Sequence, residues 1–335
     1  MKIDAPLFGS LSEVPDRVRE AEAHGYDGVV TAEIGSDPFF PLLLAAEHSE
    51  RVELMTSIAV AFARNPMLLA NIGNDLQAYS QGRFILGLGS QIRPHVTKRF
   101  SMPWSHPAAR MREFILAMRA IWACWYQGEK LDFRGEFYTH TLMTPMFTPT
   151  NNRFGPPRVC LAAVGPRMTE VAAEVADGML VHGFTTPRYL REVTLPAVER
   201  GLAKSGRGRE DFTLCYPAFV VTGKDEKQWA ESRAAVARQV AFYGSTPAYR
   251  GVLELHGWGE LQTELNALSK QGKWVEMGER IGDEILEEFA VVAEPERVAG
   301  RLRERFGGGI DRLLCTVPLD DPERRRSFLE ELRFA

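Results

Sequence analysis

One local unit recurs from end to end of the chain and restricts its possible folds more than any other feature. A charged helical stretch runs into a small residue or glycine, then an Asp-containing turn, then a short apolar strand. The unit is found at Arg17–Glu33, Thr169–Phe184 and Val298–Val317, with a looser copy at Leu68–Ser90. In each copy the helical periodicity stops at a residue able to take positive φ, and the strand that follows lacks polar alternation. Strands of that kind are buried on both faces, as in a parallel sheet covered by helices. Repetition of helix, tight turn and buried strand is the pattern of (β/α) units.

Strands are expected at Ile3–Leu7, Gly28–Thr31, Val52–Ala59, Phe84–Gly87, Arg158–Ala163, Gly178–His182, Thr213–Thr222 and Arg312–Val317. Helices are expected at Pro66–Ser80, Pro107–Tyr126, Arg167–Ala176 and Pro295–Phe306. Eight strands in 335 residues suit a closed (β/α)8 TIM barrel better than an open doubly wound sheet. The reading is of a single domain spanning 1–335. A polar, Pro-rich loop covers Thr139–Pro157, and a mostly helical insertion occupies roughly 225–290. Excursions of this length on a compact barrel belong over the mouth at the carboxyl ends of the strands.

Composition narrows the function. Forty Lys and Arg against forty-four Asp and Glu leave no basic surplus for nucleic-acid binding. Four dispersed cysteines form no CxxC pair, which points away from a zinc ribbon or secreted disulfide framework and toward a reducing cytoplasm. Asp4 comes too early for the apolar region of a signal peptide, and no apolar run is long enough to span a bilayer, so no membrane is expected. The seven histidines show no HxxxH or HExxH spacing, and no metal site is expected. GxSxG and Walker motifs are missing as well.

In a barrel, chemistry sits where strands end. Glu33 follows the second strand, where a carboxylate could position a ligand, take a proton, or cap a turn. Gly87-Leu88-Gly89-Ser90-Gln91 follows the fourth; its glycines permit close approach of a flat group to the backbone, or simply a tight turn. Ala162-Ala163-Val164-Gly165-Pro166-Arg167 follows the fifth. It offers free N–H groups at a helix start with a cation beside them, a plausible phosphate cradle. His182 ends the sixth strand, where barrels present side chains to their pockets, and His95 and His106 lie on the long fourth loop with Trp104. Asn65-Pro66 reads as plain helix capping.

Four blocks occurring in order carry a resemblance. They are VREAEAHGYDGVVTAE, RNPMLLANIGNDLQAYSQGRFILGLGS, LAAVGPRMTEVAAEVADGML and FAVVAEPERVAGRLRERFGGGIDRLL. Over nearly its whole length the chain resembles the bacterial luciferase-like family of flavin- and deazaflavin-dependent oxidoreductases. Within that family it looks most like an actinobacterial subgroup dependent on coenzyme F420. The resemblance implies a tricyclic ring lying at the carboxyl ends of the strands. It also implies a cis peptide at Ser57–Ile58, followed by Ala59, whose bulge backs the ring. Gly87, Gly89, Ser90 and Gln91 would contact the cofactor, and Ala162, Ala163, Val164, Gly165 and Arg167 would hold its phosphate-bearing tail. Many relatives carry a histidine after the acidic residue that ends strand two; here Glu33 is followed by Ile34. The proton-handling role is therefore vacant or moved, with His182, His95 and His256 as replacements.

The resemblance implies an F420-dependent oxidoreductase passing hydride to or from a small organic substrate, with Glu33 and His182 as catalytic candidates. A deazaflavin needs alignment and exclusion of water more than charged protein groups, which suits a mouth rich in small and apolar residues. The alternatives are an FMN-dependent monooxygenase served by a separate reductase, and a non-catalytic flavin- or deazaflavin-binding protein. Relatives are commonly homodimers.

Overall fold

The computed structural model describes residues 1–151, 153–315, 317, 319 and 321–333. Eight parallel strands form the barrel: β1 (Lys2–Pro6), β2 (Gly28–Thr31), β3 (Glu53–Thr56), β4 (Phe84–Gly89), β5 (Arg158–Ala163), β6 (Gly178–Val181), β7 (Thr213–Pro217) and β8 (Arg312–Leu314). Each pairs in parallel with the next. The ring closes where Lys2, Ile3 and Asp4 lie opposite Arg312, Leu313 and Leu314. Helices pack outside it, and their apolar faces fuse with the outward strand residues into one large cluster. The expected cap on the helix Pro66–Tyr79 is present: Leu68 N–H donates to Asn65 Oδ1 at 3.0 Å.

Two expected strands are shorter than their apolar runs. The run Val52–Ala59 pairs regularly only to Thr56; the chain then bulges and rejoins β4 at Ala59–Val60. The run Thr213–Thr222 divides at Pro217, which has no N–H to extend the ladder. Ala218 donates once more, to the Leu314 carbonyl at 2.9 Å, and Phe219–Val221 peels away to pair with Ala290–Val292. The eighth run was expected through Thr316 to Val317; Thr316 lies outside the described residues.

The Phe219–Val221/Ala290–Val292 pair clasps the base of a helical excursion. Its main helices are Glu226–Gly244, Arg250–Leu255, Gly259–Lys270, Trp274–Glu279 and Asp283–Phe289. Val240, Leu253, Leu265 and Phe289 form a separate apolar cluster there with Phe184 and Tyr189, which follow β6. The excursion is thereby fastened over the carboxyl end of β6. No helix among the described residues is long and apolar enough to cross a membrane.

The barrel interior is graded along its axis. At the amino-terminal end, buried Arg312 forks onto Asp4, Nη2 to Oδ1 at 2.6 Å and Nε to Oδ2 at 2.5 Å, and also donates to Glu53. Gly28 makes that possible, because a Cβ there would lie 2.3 Å from Arg312 Nη2. Above sits a dry layer of Val30, Met55, Ile85, Cys160, Leu180 and Cys215, against which Ile58, Ala162 and Leu314 pack only partly buried. The tube is plugged by ions below, and its uppermost inward side chains are only partly buried.

Candidate active site at the carboxyl rim

The rim is organised around the bulge after β3. Met55 pairs with Ile85, and Ala59 with Leu88, so four steps on one strand match three on the other. The Ser57–Ile58 peptide inside the bulge is cis. Thr56 bridges the gap in the ladder: its Oγ1 donates to the Gly87 carbonyl at 2.7 Å and accepts the Gly87 N–H at 2.9 Å. A Cβ on Gly87 would fall 1.7 Å from the Thr56 carbonyl oxygen, and one on Gly89 would lie 2.8 Å from Ile58 Cδ1. The two glycines thus admit the bulge itself. Beyond them Gln91 adopts φ 61° and accepts the Ile92 N–H on its own Oε1 at 3.0 Å, and Ser90 Oγ donates to the Gln91 carbonyl at 3.1 Å.

Glu33 serves the same bulge from outside. Val30 faces the interior, so Glu33, three residues on, has the opposite parity. The Val60 N–H donates to Glu33 Oε2 at 2.7 Å, and Arg64 Nη1 donates to the same oxygen at 2.6 Å. Arg64 also reaches Asp37 Oδ2 with Nη2 at 2.9 Å. The Glu33 N–H itself donates to the Ile58 carbonyl at 3.1 Å. Glu33 Oε2 thus ties the bulge to Arg64. Thr56 and Arg64 complete the clamp and had been given no role; the acidic residue followed about thirty positions later by an Arg-Asn-Pro helix start was the available signal.

The cradle after β5 is accessible. Gly165 precedes the helix Pro166–Val175, and a Cβ built on it would meet nothing within 4 Å. Arg167 is exposed, with no ion pair or hydrogen bond among the described residues. Ala162 and Val164 are half-buried toward the mouth, and Ala163 is buried against the outer helices.

His182 lies one position beyond β6 with the same parity as inward-facing Leu180. The Phe184 N–H donates to its Nδ1 at 3.0 Å. Tyr243 meets its ring at 4.5 Å and 82°, and Tyr249 at 4.8 Å and 48°, both from the helical excursion. Behind them Phe184 stacks on Phe289 at 4.5 Å. Burial among these rings pushes the His182 pKa down to about 4. The other histidines do not converge on it. Thr186 Oγ1 accepts the Tyr189 N–H and shares a hydrogen bond with His256 Nε2 at 2.8 Å, and His256 stacks on Trp258. His95 is exposed on the fourth loop, and His106 precedes the helix Pro107–Gln127 with φ 40°.

A closed parallel barrel carrying a bulged, cis third strand and a roof of helices is the arrangement that the resemblance implies, and residues 4–312 match the pattern of the luciferase-like monooxygenases. The chain belongs to the luciferase-like monooxygenase family. It is 57% identical over 333 residues to an uncharacterised protein of Mycobacterium tuberculosis, covering 99% of this chain and 98% of that one. It is 27% identical to the 5,10-methylenetetrahydromethanopterin reductase of Archaeoglobus fulgidus, covering 92% and 90% of the two chains. The solved coenzyme F420-dependent tetrahydromethanopterin reductase of Methanopyrus kandleri superposes with a TM-score of 0.78 at 19% identity, covering 98% and 96%. Oxidoreductases on this barrel therefore surround the family member described here.

Proposed function

We propose that this luciferase-like protein is an F420-dependent oxidoreductase acting on a small organic substrate at the carboxyl rim. The observation that carries the reading is an interior plugged by ions at its amino-terminal end, with the Ser57–Ile58–Ala59 bulge at its carboxyl end, where Ile58, Ala162 and Leu314 are only partly buried. Gly87 and Gly89 make room for the bulge, Ser90 and Gln91 follow them, and Glu33, Arg64 and Thr56 hold it in place. The turn Ala162–Gly165, with open space at Gly165 and an Arg167 that has no partner among the described residues beside a helix start, suits a phosphate group. A deazaflavin bound there would supply two-electron hydride chemistry. The chain's own part is to orient the bound groups, keep water away and polarise the substrate; His182 is the side chain at the mouth suited to the last task.

FMN is the second reading, favoured by the description of the family as monooxygenases. Titration of the purified chain with F420 and with FMN separates the two. F420 should bind, and Arg167→Ala should weaken it about tenfold, the loss of one charge-assisted contact worth about 1.4 kcal/mol. FMN binding without F420 binding refutes the choice, and unchanged affinity in the variant removes Arg167 from the site. A homodimer belongs to the same reading: Phe40, Leu43, Leu68 and Tyr79 form an exposed apolar stripe on two neighbouring outer helices. All four cysteines are free, which fits a cytoplasmic location.

A further inference from the structure

His182 is held in one chemical form by its surroundings. Its Nδ1 lone pair receives the Phe184 N–H at 3.0 Å, so a neutral ring must carry its single proton on Nε2. Nε2 has no partner among the described residues, and it is not sealed away with the unpaired buried atoms. The ring is fixed edge-on by Tyr243 and tilted against Tyr249, and both are braced by the apolar cluster of the excursion. Desolvation is the influence that lowers its proton affinity; no carboxylate or guanidinium contributes. A neutral N–H donor therefore stands at the carboxyl end of β6, with the inward parity of Leu180 and two tyrosine rings against it.

We propose that His182, through Nε2–H, holds the oxygen of a carbonyl substrate, and that the site selects neutral carbonyl compounds over protonated imines and amines. This rests on the reading of the rim as a redox site and names its substrate class. A carbonyl oxygen offers lone pairs and no proton, so it satisfies the donor fully. Any negative charge that develops on that oxygen strengthens the bond, and a fixed donor needs no rearrangement to meet it. A protonated imine would set N–H against N–H with no carboxylate nearby to offset its charge, an arrangement costly in a desolvated site. Ile34, where the resemblance would place a histidine, supplies no donor from the β2 side, and His182 stands across the barrel from it.

The test has two arms. In the cofactor-free, 15N-labelled chain at pH 7, imidazole NMR should show His182 as the Nε2–H tautomer. Cyclohexanone, 2-butanone or acetophenone should move its Nε2 resonance, and cyclohexylammonium should not. In the cofactor-loaded protein, His182→Phe should retain F420 affinity and lose tenfold or more of its turnover with the responding ketone. His182→Gln, which keeps an N–H donor, should recover part of that loss. An Nδ1–H or protonated ring, a response to the ammonium equal to that of the ketones, silence toward all three ketones, or undiminished turnover in His182→Phe overturns the proposal. Failure of F420 to bind, with the ketone response intact, overturns the cofactor reading and leaves the oxygen-holding role standing.

Discussion

The two ends of the barrel interior place polar side chains in the same apolar tube and treat them oppositely. At the amino-terminal end every charge closes on another: Arg312 on Asp4 and Glu53, and Glu53 on Lys2 and Arg158 besides. The surface cleft at this end is lined by two of these ions, Lys2 and Glu53, and by Glu22, Arg51, Arg83 and Arg333. At the carboxyl end His182 keeps one nitrogen unpaired and Arg167 has no partner among the described residues. A buried polar group that is fully satisfied fixes the fold, and one left open toward solvent is available to a ligand.

The largest expected effect comes from opening the saturated end. Arg312→Met leaves buried Asp4 without its cation, and Glu53 with only Lys2 and Arg158, and should cost about 3–5 kcal/mol, read as a fall in the urea midpoint. A triple variant that also replaces Asp4 and Glu53 with apolar residues should regain most of it, and if it does not, the network is more than an ionic plug. The same end should give an acid limb. Burial alone would raise the Glu53 carboxyl, but Arg312, Lys2 and Arg158 overcome it and hold the pKa down to about 2 from 4.5. A folded-state value below the unfolded one adds stability that is complete above pH ~4.5 and lost as pH falls toward 2. The displacement corresponds to roughly 3 kcal/mol. Burial raises Asp4 despite Arg312, which opposes part of this. Urea midpoints from pH 6 to 2.5 should fall for the wild type and fall less for Glu53→Gln.

The barrel was legible because its signals are local. Each apolar strand after a helix and an Asp turn reports its own burial, and six of the eight expected strands include an observed barrel strand entirely; β1 begins one residue before its run and β4 continues two residues past its own. What was not legible depends on pairing across the chain. Gly87 looks like a turn glycine, and its constraint is the Thr56 carbonyl thirty-one residues earlier. Glu33 looks like a rim carboxylate until Val60 and Arg64 are placed on it. The partners of His182, Tyr243 and Tyr249, come from an insertion whose docking no periodicity reports. The cis peptide was anticipated through the family resemblance, with no signal in the residues themselves.

Glu33 breaks the simple division between ends, since it is an ion-paired carboxylate at the carboxyl one. Its role is therefore to hold the bulge, and its removal should act on the site more than on the fold. In Glu33→Gln the amide oxygen can still accept the Val60 N–H, but Arg64 loses a charged partner and retains Asp37 and the Val60 carbonyl. Exchanging a charge-assisted bond for a neutral one should cost about 1 kcal/mol of stability, a shift of a few degrees or less in a chain of this size. The bulge, held on that side by a single oxygen, should lose its fixed position. Turnover with a responding ketone should then fall tenfold or more, with weaker F420 binding. A double variant carrying Arg64→Met as well should show little further loss, since the two side chains act as one clamp. Equal, additive losses from the two substitutions, or a melting shift with affinity and turnover intact, would make the clamp part of the scaffold alone and restore the division between the two ends.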